Sequence, residues 1–155
     1  MPRGKNNPFY LLYGSLIERV HGESGGFNTL SEPEKLYYAT TLLRNEVNNG
    51  GFHQYFFNSS GSYYRYAEKG LIEMGAIRTL ELLHRAKDLL FADKNVPGDT
   101  EARRDTMPNA DSEEDVMNLL KKFEDLDQTF YSDPDDFNPR LEAFARKHRL
   151  VGQES

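Results

Sequence analysis

The sequence predicts an all-α protein, built as a compact single-domain bundle of six or seven helices. Apolar side chains recur at three- and four-residue steps through most of the chain, and we find neither an alternating strand pattern nor an internal repeat. A length of 155 residues fits one domain of ordinary size, covering residues 1–155. Aromatic residues make up 12% of the chain, so a modest apolar content still supplies a sizeable core.

Two helices are predicted before residue 51. The first covers residues 8–21, where four apolar side chains share one face: Phe9, Leu12, Leu16 and Val20. The second begins at a capping box, in which the Ser31 hydroxyl accepts a hydrogen bond from a first-turn N–H and Glu34 reaches back. We expect this helix to end at residues 48–50, Asn-Asn-Gly, because these residues tolerate a left-handed backbone.

The middle of the chain predicts three further helices. Residues 52–57 form a short helix with aromatic side chains on one face, and residues 58–61 break it. The next helix ends at Gly75, and residues 76–91 form another. The apolar stripe of the helix before Gly75 consists of Tyr64, Ala67, Leu71 and Met74.

The last third of the chain predicts two helices after an exposed connection at residues 93–111, which carries two prolines and few apolar anchors. Ser112 caps the first of these helices, and Pro134 starts the second. We expect residues 1–7 and 151–155 to be loose. The side chains predicted to face inward are Val116, Leu119, Leu120, Phe123 and Leu126 in the first helix, and Phe137, Leu141 and Phe144 in the second.

Composition narrows the class of protein. The chain has no cysteine, which excludes a disulfide scaffold and a cysteine-based metal site. No stretch approaches the roughly 18 apolar residues of a membrane-spanning helix, and the polar start is unlike a secretory signal. We therefore expect a cytoplasmic protein with no membrane partner.

Charge is distributed unevenly along the chain. The formal net charge is −6, but residues 111–136 contain ten carboxylates and two lysines, whereas the remainder contains fifteen acidic and seventeen basic residues. A negative segment of this density repels phosphates, so it argues against direct nucleic-acid binding and favours a basic partner.

Few residues suggest catalysis. His53 is the best single candidate for an acid or base, since imidazole titrates near neutral pH, and Glu46 lies close enough in sequence to pair with it. The alternative is that His53 is an ordinary surface residue on a short helix. The four histidines lie on different predicted helices without ligand spacing, so we predict no metal site, no cofactor and no catalytic residue.

The acidic segment permits a sharper hypothesis. Carboxylates one helical turn apart lie about 5–6 Å from each other, and each DNA strand presents a phosphate about every 3.4 Å of axis. A helix that carries such carboxylates could imitate a DNA backbone, unless Lys121 and Lys122 neutralise it. The candidate partner-binding residues are Asp111, Glu113, Glu114, Asp115, Glu124, Asp125, Asp127, Asp133, Asp135 and Asp136.

The densest motif, which we call the signature segment, spans residues 49–58. It resembles the signature of a bacterial all-helical domain family that includes the DNA-mimic protein of Neisseria. The resemblance implies an α-helical fold and, for that member, an acidic dimer that occupies the DNA-binding face of a transcription factor. The residues that carry the resemblance are Asn49, Gly50, Gly51, Phe52, Gln54, Tyr55, Phe56 and Asn58, together with Glu46 before them.

The sequence thus leads to one main hypothesis and two alternatives. The main hypothesis is a non-enzymatic protein-binding protein, in its concrete form a DNA mimic that occupies the DNA-binding surface of a transcription factor, with a homodimer as one option. The alternatives are a small enzyme that uses His53 and Glu46, and an immunity- or antitoxin-like inhibitor of a basic protein.

Overall fold

Helices account for almost all of the regular structure. The computed structural model describes residues 7–23, 25–108 and 112–152, and over these ranges it contains seven α-helices, two short 3₁₀ helices and no strand. The all-α prediction is therefore confirmed. The α-helices are α1 (Pro8–His21), α2 (Glu32–Phe57), α3 (Tyr64–Met74), α4 (Ile77–Phe91), α5 (Thr100–Thr106), α6 (Glu113–Tyr131) and α7 (Phe137–Lys147); the 3₁₀ helices are Phe27–Thr29 and Ser59–Tyr63.

The long helix α2 lies at the centre of the bundle, and each of the other six α-helices contacts it. Its buried side chains run along its whole length and include Leu36, Val47 and Phe56, which are each at most 1% exposed. Burial of this stripe against the surrounding helices stabilises the fold, because apolar area removed from water is the dominant favourable term in folding.

The predicted helix ends are largely confirmed. The Ser31 hydroxyl accepts from the Glu34 N–H at 3.3 Å, and the Glu34 carboxylate accepts from the Ser31 N–H at 2.8 Å, which completes the capping box. Gly75 ends α3 in the left-handed conformation, with φ of 72°. The predicted loose ends are only partly described. Asn7 and Val151 are not loose, because the Asn7 side chain caps α1 and Val151 packs against the core. Gly152 is exposed, and the other residues of the two ends lie outside the described part of the chain.

The helix break predicted at residues 48–50 falls one residue later, and the short helix predicted over residues 52–57 follows it. The helix continues through Gly50, and the backbone leaves helical geometry only at Gly51, with φ of 85° and ψ of 176°. Helical structure resumes at once, and Phe52, Tyr55 and Phe56 are buried on one face as predicted. The break falls at Gly51 because this backbone conformation is essentially restricted to glycine, whereas the two asparagines fit a helix.

The predicted exposed connection at residues 93–111 is wrong in part. Much of it is exposed, but it contains α5, and from that region Arg103 and Met107 enter the interior. Arg103 is 0% exposed, which composition could not reveal because arginine is seldom fully buried. Residues 109–111 lie outside the described part of the chain.

The last helix begins later than predicted. Pro134 lies in a turn in which Asp133 and Asp136 have positive φ values of 55° and 53°, and α7 starts at Phe137. The start is set by the Asp133 carboxylate, which accepts from the Phe137 N–H at 2.8 Å. Phe137, Leu141 and Phe144 are buried as predicted.

Candidate partner-binding surface

The first half of α6 extends beyond the core of the bundle. The Ser112 side chain caps the helix, accepting from the Asp115 N–H at 3.1 Å. The side chains that anchor α6 are buried only in its second half: Phe123, Leu126 and Phe130. Over residues 113–122, every side chain except the partly buried Leu119 is exposed. This half of α6 therefore presents nearly its whole circumference to solvent.

Three exposed side chains in this half of α6 are apolar. Val116 is 40% exposed, Met117 is 66% exposed and Leu120 is 55% exposed. The prediction that Val116 and Leu120 face inward is wrong, because the neighbouring helices do not reach the first turns of α6. The helical pattern correctly identified an apolar stripe but could not show that no other described residue covers its first half.

Seven of the ten predicted carboxylates are exposed among the described residues, and six of these make no capping hydrogen bond there; the seventh, Asp133, accepts from the Phe137 N–H. Among the described residues, no lysine or arginine forms an ion pair with any of them, and Lys121 and Lys122 do not pair with Asp115 or Asp125. Salt-bridge neutralisation is therefore not seen over these ranges. Asp111 lies outside the described residues. The six are Glu113, Glu114, Asp115, Glu124, Asp125 and Asp136; the five on α6 are called the α6 acidic set.

Asp135 is a structural residue, which corrects its assignment to a partner-binding surface. It is 8% exposed, and its carboxylate accepts from the Thr79 N–H at 2.6 Å and from the Thr79 hydroxyl at 2.9 Å. Thr79 lies in the first turn of α4, where backbone N–H groups lack helical partners. Asp135 thus caps α4 from a distant part of the chain.

Asp127 and Asp133 also serve the fold. Asp127 is partly buried, and its carboxylate accepts from the Phe52 N–H at 2.9 Å, immediately after the break at Gly51. Burial raises the pKa of Asp127 above its usual value, although the Phe52 hydrogen bond opposes this shift. Asp133 remains exposed but holds the start of α7. Asp127, Asp133 and Asp135 are therefore used for helix capping, whereas the side chain of Asp136, the last of the segment, makes no capping hydrogen bond.

The signature segment is held by its buried aromatic side chains and by hydrogen bonds within the protein. The Gln54 amide donates to the Glu46 carboxylate at 2.9 Å, and the Asn58 amide donates to the same oxygen at 3.4 Å. Glu46 therefore anchors two of the three side-chain amides of the segment, those of Gln54 and Asn58. Both amides and the buried aromatic residues of this segment stabilise its geometry, which agrees with a structural role for the motif.

Arg103 closes the end of α2, and sequence reasoning missed it. Its guanidinium donates to the Phe56 carbonyl from Nε at 2.6 Å and to the Asn58 carbonyl from Nη2 at 2.6 Å. It also donates to the Pro97 and Gly98 carbonyls at 3.1 and 3.3 Å. The last carbonyls of a helix need hydrogen-bond donors, so the abrupt end of α2 indicates that some donor must lie there. The sequence does not show which residue supplies it.

A groove separates the signature segment from α6, and we call it the α2–α6 groove. It encloses about 600 Å³. The His53 ring stacks on Phe57 with centroids 6.2 Å apart and meets the Phe123 ring edge-on at 5.5 Å. Partial burial lowers the pKa of His53. The described residues that line the groove include Leu120, Glu124, Gln128 and Tyr131, but not Glu46.

Among the described residues, the α6 acidic set and the α2–α6 groove together offer carboxylates, apolar side chains, amides, one phenol and the imidazole of His53. Over the described ranges, no group of three or more His, Cys, Asp or Glu side chains is arranged to hold a metal ion. None of the helices described is long and apolar enough to cross a bilayer.

The fold and its surface define a class: a small all-helical domain with an aromatic, glycine-kinked central helix and an exposed acidic helix. The chain belongs to the family of DMP19-like proteins, whose family model matches residues 28–148. This confirms the family membership that the signature segment predicted. No curated protein and no solved structure matches the chain.

Proposed function

We propose that this protein binds another protein without catalysing a reaction, and that it acts as a DNA mimic on the DNA-binding surface of a transcription factor. The observation that carries the proposal is the α6 acidic set, five exposed carboxylates for which the described residues provide no lysine or arginine partner. Membership of the DMP19-like family supports it, because the family resemblance implies this activity for one member.

The arrangement of the acidic set suits a phosphate-like surface. Glu113 and Glu124 are eleven residues apart and therefore share a face of α6, as do Glu114 and Asp125. Eleven residues of helix correspond to about 16 Å, which is the length of several phosphate steps along a DNA strand. A basic protein that binds DNA could therefore meet more than one of these carboxylates at once.

The helix itself helps to hold this concentration of charge. Glu113, Glu114 and Asp115 occupy the first turn of α6. The positive end of the helix dipole stabilises acidic side chains there by about 0.3–1 kcal/mol each at a surface. These carboxylates are consequently stabilised without lysine partners and stay available to a basic molecule.

The two alternatives fare differently. An enzyme that uses His53 with Glu46 lacks support, because Glu46 binds the amides of Gln54 and Asn58 and does not line the α2–α6 groove. An inhibitor of a basic toxin would use the same acidic set. The identity of the partner is what separates that alternative from a DNA mimic.

Operator release tests the proposal directly. A candidate repressor is bound to its fluorescently labelled operator, and the protein is titrated into the complex at low and at moderate salt. We expect release of the operator at low salt and weaker release as salt rises, because exposed charges are screened. Failure to release any candidate's operator at low salt would contradict the mimic role.

A matched pair of variants separates the acidic set from net charge. The first variant carries five substitutions: Glu113→Gln, Glu114→Gln, Asp115→Asn, Glu124→Gln and Asp125→Asn. The control removes five exposed charges elsewhere: Glu18→Gln, Glu23→Gln, Glu73→Gln, Glu81→Gln and Asp93→Asn. We expect a loss of affinity of at least about tenfold for the first variant and a much smaller loss for the control. Equal losses of affinity in the two variants would show that binding depends on overall charge and not on the α6 acidic set.

A further inference from the structure

One face of α6 carries apolar and acidic side chains in a single line. Glu113, Met117, Leu120 and Glu124 follow each other at steps of four, three and four residues, so they stack along one side of the helix. Met117 and Leu120 are more than half exposed, at 66% and 55%. Two apolar side chains therefore stand between two carboxylates on the half of α6 that leaves the core.

This line leads into the α2–α6 groove. Leu120 and Glu124 belong to both, and the groove continues over Phe123 to the rings of His53 and Phe57. Phe57 is 43% exposed. The result is a continuous apolar strip along the side of α6 and into a cavity of about 600 Å³, which has room for apolar side chains of another molecule.

Charge decides what kind of molecule could cover the strip. The described residues that line the groove include two carboxylates, Glu124 and Asp127, and no lysine or arginine. A second copy of this chain would bring these carboxylates close to their own counterparts, which is repulsive. A cationic occupant would meet Glu113 at one end of the strip and Glu124 and Asp127 in the groove, and it would lie beside the Arg104 guanidinium, which stacks 4.1 Å from the Phe57 ring centroid.

We propose that this strip and groove bind a basic amphipathic helix of the partner protein. Its apolar side chains would contact Met117, Leu120 and Phe57, and its lysines or arginines would meet Glu113, Glu124 and Asp127. A helix lying in a groove between helices is an established way of recognising an amphipathic segment. The inference rests on the proposed function and adds an apolar component to a surface otherwise described by charge alone.

A pair of synthetic peptides tests the inference. One is a labelled 14-residue helical peptide of leucine and lysine with its leucines along one face, and the other has the same lysines with serine in place of leucine. We expect fluorescence anisotropy at moderate salt to show at least tenfold tighter binding of the leucine–lysine peptide. Equal affinity for the two peptides, or no binding of either, would overturn the inference.

Variants locate the binding site. Met117→Gln with Leu120→Gln should weaken binding of the leucine–lysine peptide at least tenfold and leave the serine–lysine peptide nearly unchanged. The control is Ile72→Gln with Ile77→Gln, which alters two side chains that are 54% and 50% exposed outside the groove and should change affinity less than twofold. Similar losses in both double variants would overturn the assignment.

An NMR measurement adds a readout from within the groove. The imidazole signals of His53, assigned with the His53→Gln variant, should shift when the leucine–lysine peptide is added, because the ring lines the groove. Binding that leaves these signals unchanged would place the peptide elsewhere and overturn the inference.

The outcomes for the two proposals are distinguishable. If the wild type releases an operator and the Met117→Gln, Leu120→Gln variant releases it equally well, the DNA mimic stands and the apolar site is refuted. If sedimentation shows that these substitutions convert a dimer into a monomer, the occupant is a second copy and the inference is likewise refuted.

Discussion

The signature segment and the first half of α6 differ in whether their polar groups have partners inside the protein. Around the signature segment, Arg103, Glu46 and Asp127 each bind backbone or side-chain groups that would otherwise lack partners. On the first half of α6, carboxylates and apolar side chains face solvent together, with no covering element among the described residues. The polar groups around the signature segment find partners inside the protein, whereas the carboxylates and apolar side chains on the first half of α6 remain accessible to another molecule.

The difference shows which part of an acidic segment serves the fold and which part is available to a partner. Residue type does not decide this, because Asp135 and Asp125 are both aspartates of the same segment. Position decides it: Asp135 lies against the start of α4, whereas Asp125 lies on the outer side of α6. A buried carboxylate without such donors would be strongly unfavourable, so Asp135 is constrained by the fold in a way that Asp125 is not.

The largest effect should come from Arg103→Met, which tests whether the signature region depends on this guanidinium. The substitution leaves the Phe56 and Asn58 carbonyls without their donors inside the protein, so we expect a loss of about 3–5 kcal/mol in the free energy of unfolding. Urea denaturation measures it. The control Arg78→Met, at an exposed position, should stay within about 0.5 kcal/mol. A loss of stability for Arg103→Met as small as that of the control would show that water replaces the hydrogen bonds of the Arg103 guanidinium.

Gly51→Ala tests the kink in α2, and its effect on the free energy of unfolding should be the next largest. At φ of 85° an added Cβ would lie 2.3 Å from the Asp127 carboxylate, so strain and collision combine to a loss of about 2–4 kcal/mol. Thermal and urea unfolding measure it. Gly14→Ala is a control of opposite sign: its Cβ would meet nothing within 4 Å, and alanine in the helix should stabilise by about 0.5–1 kcal/mol. Unchanged stability of Gly51→Ala would mean that the kink can move.

The comparison within the acidic segment is sharpened by Asp135→Ala and Glu124→Ala. Asp135→Ala removes two hydrogen bonds at the start of α4 and should lower the free energy of unfolding by about 1.5–3 kcal/mol. Glu124→Ala should change it by less than about 0.5 kcal/mol, because the side chain is exposed. Operator release should respond in the reverse order. Equal destabilisation by the two substitutions would contradict the division of the segment.

His53 gives the smallest expected effect, a pH dependence. Since burial lowers its pKa in the folded protein, the unfolded chain takes up the proton more readily, and stability should fall as pH drops below about 6.5. The difference between wild type and His53→Gln, measured by urea denaturation from pH 7 to pH 5, isolates this residue from the carboxylates common to both. A difference that stays constant with pH would show that the His53 proton is not linked to folding.

By itself, the sequence determined the fold class, most helix ends and the family. These features are local: the capping box at Ser31, the left-handed end at Gly75 and the aromatic face of residues 52–57 depend on side chains within a few positions of each other. The same local patterns also predicted the acidic character of α6, because charge can be counted without knowing how helices pack.

Only the tertiary structure decided which polar side chains form their hydrogen bonds inside the protein. Arg103 reaches the end of α2 across more than forty residues of sequence, and Asp135 reaches Thr79 across more than fifty. The exposure of Met117 and Leu120 likewise depends on where α2 and α4 stop covering α6. Hydrogen-bond satisfaction and burial depend on which distant segments meet, and helical periodicity carries no information about such meetings.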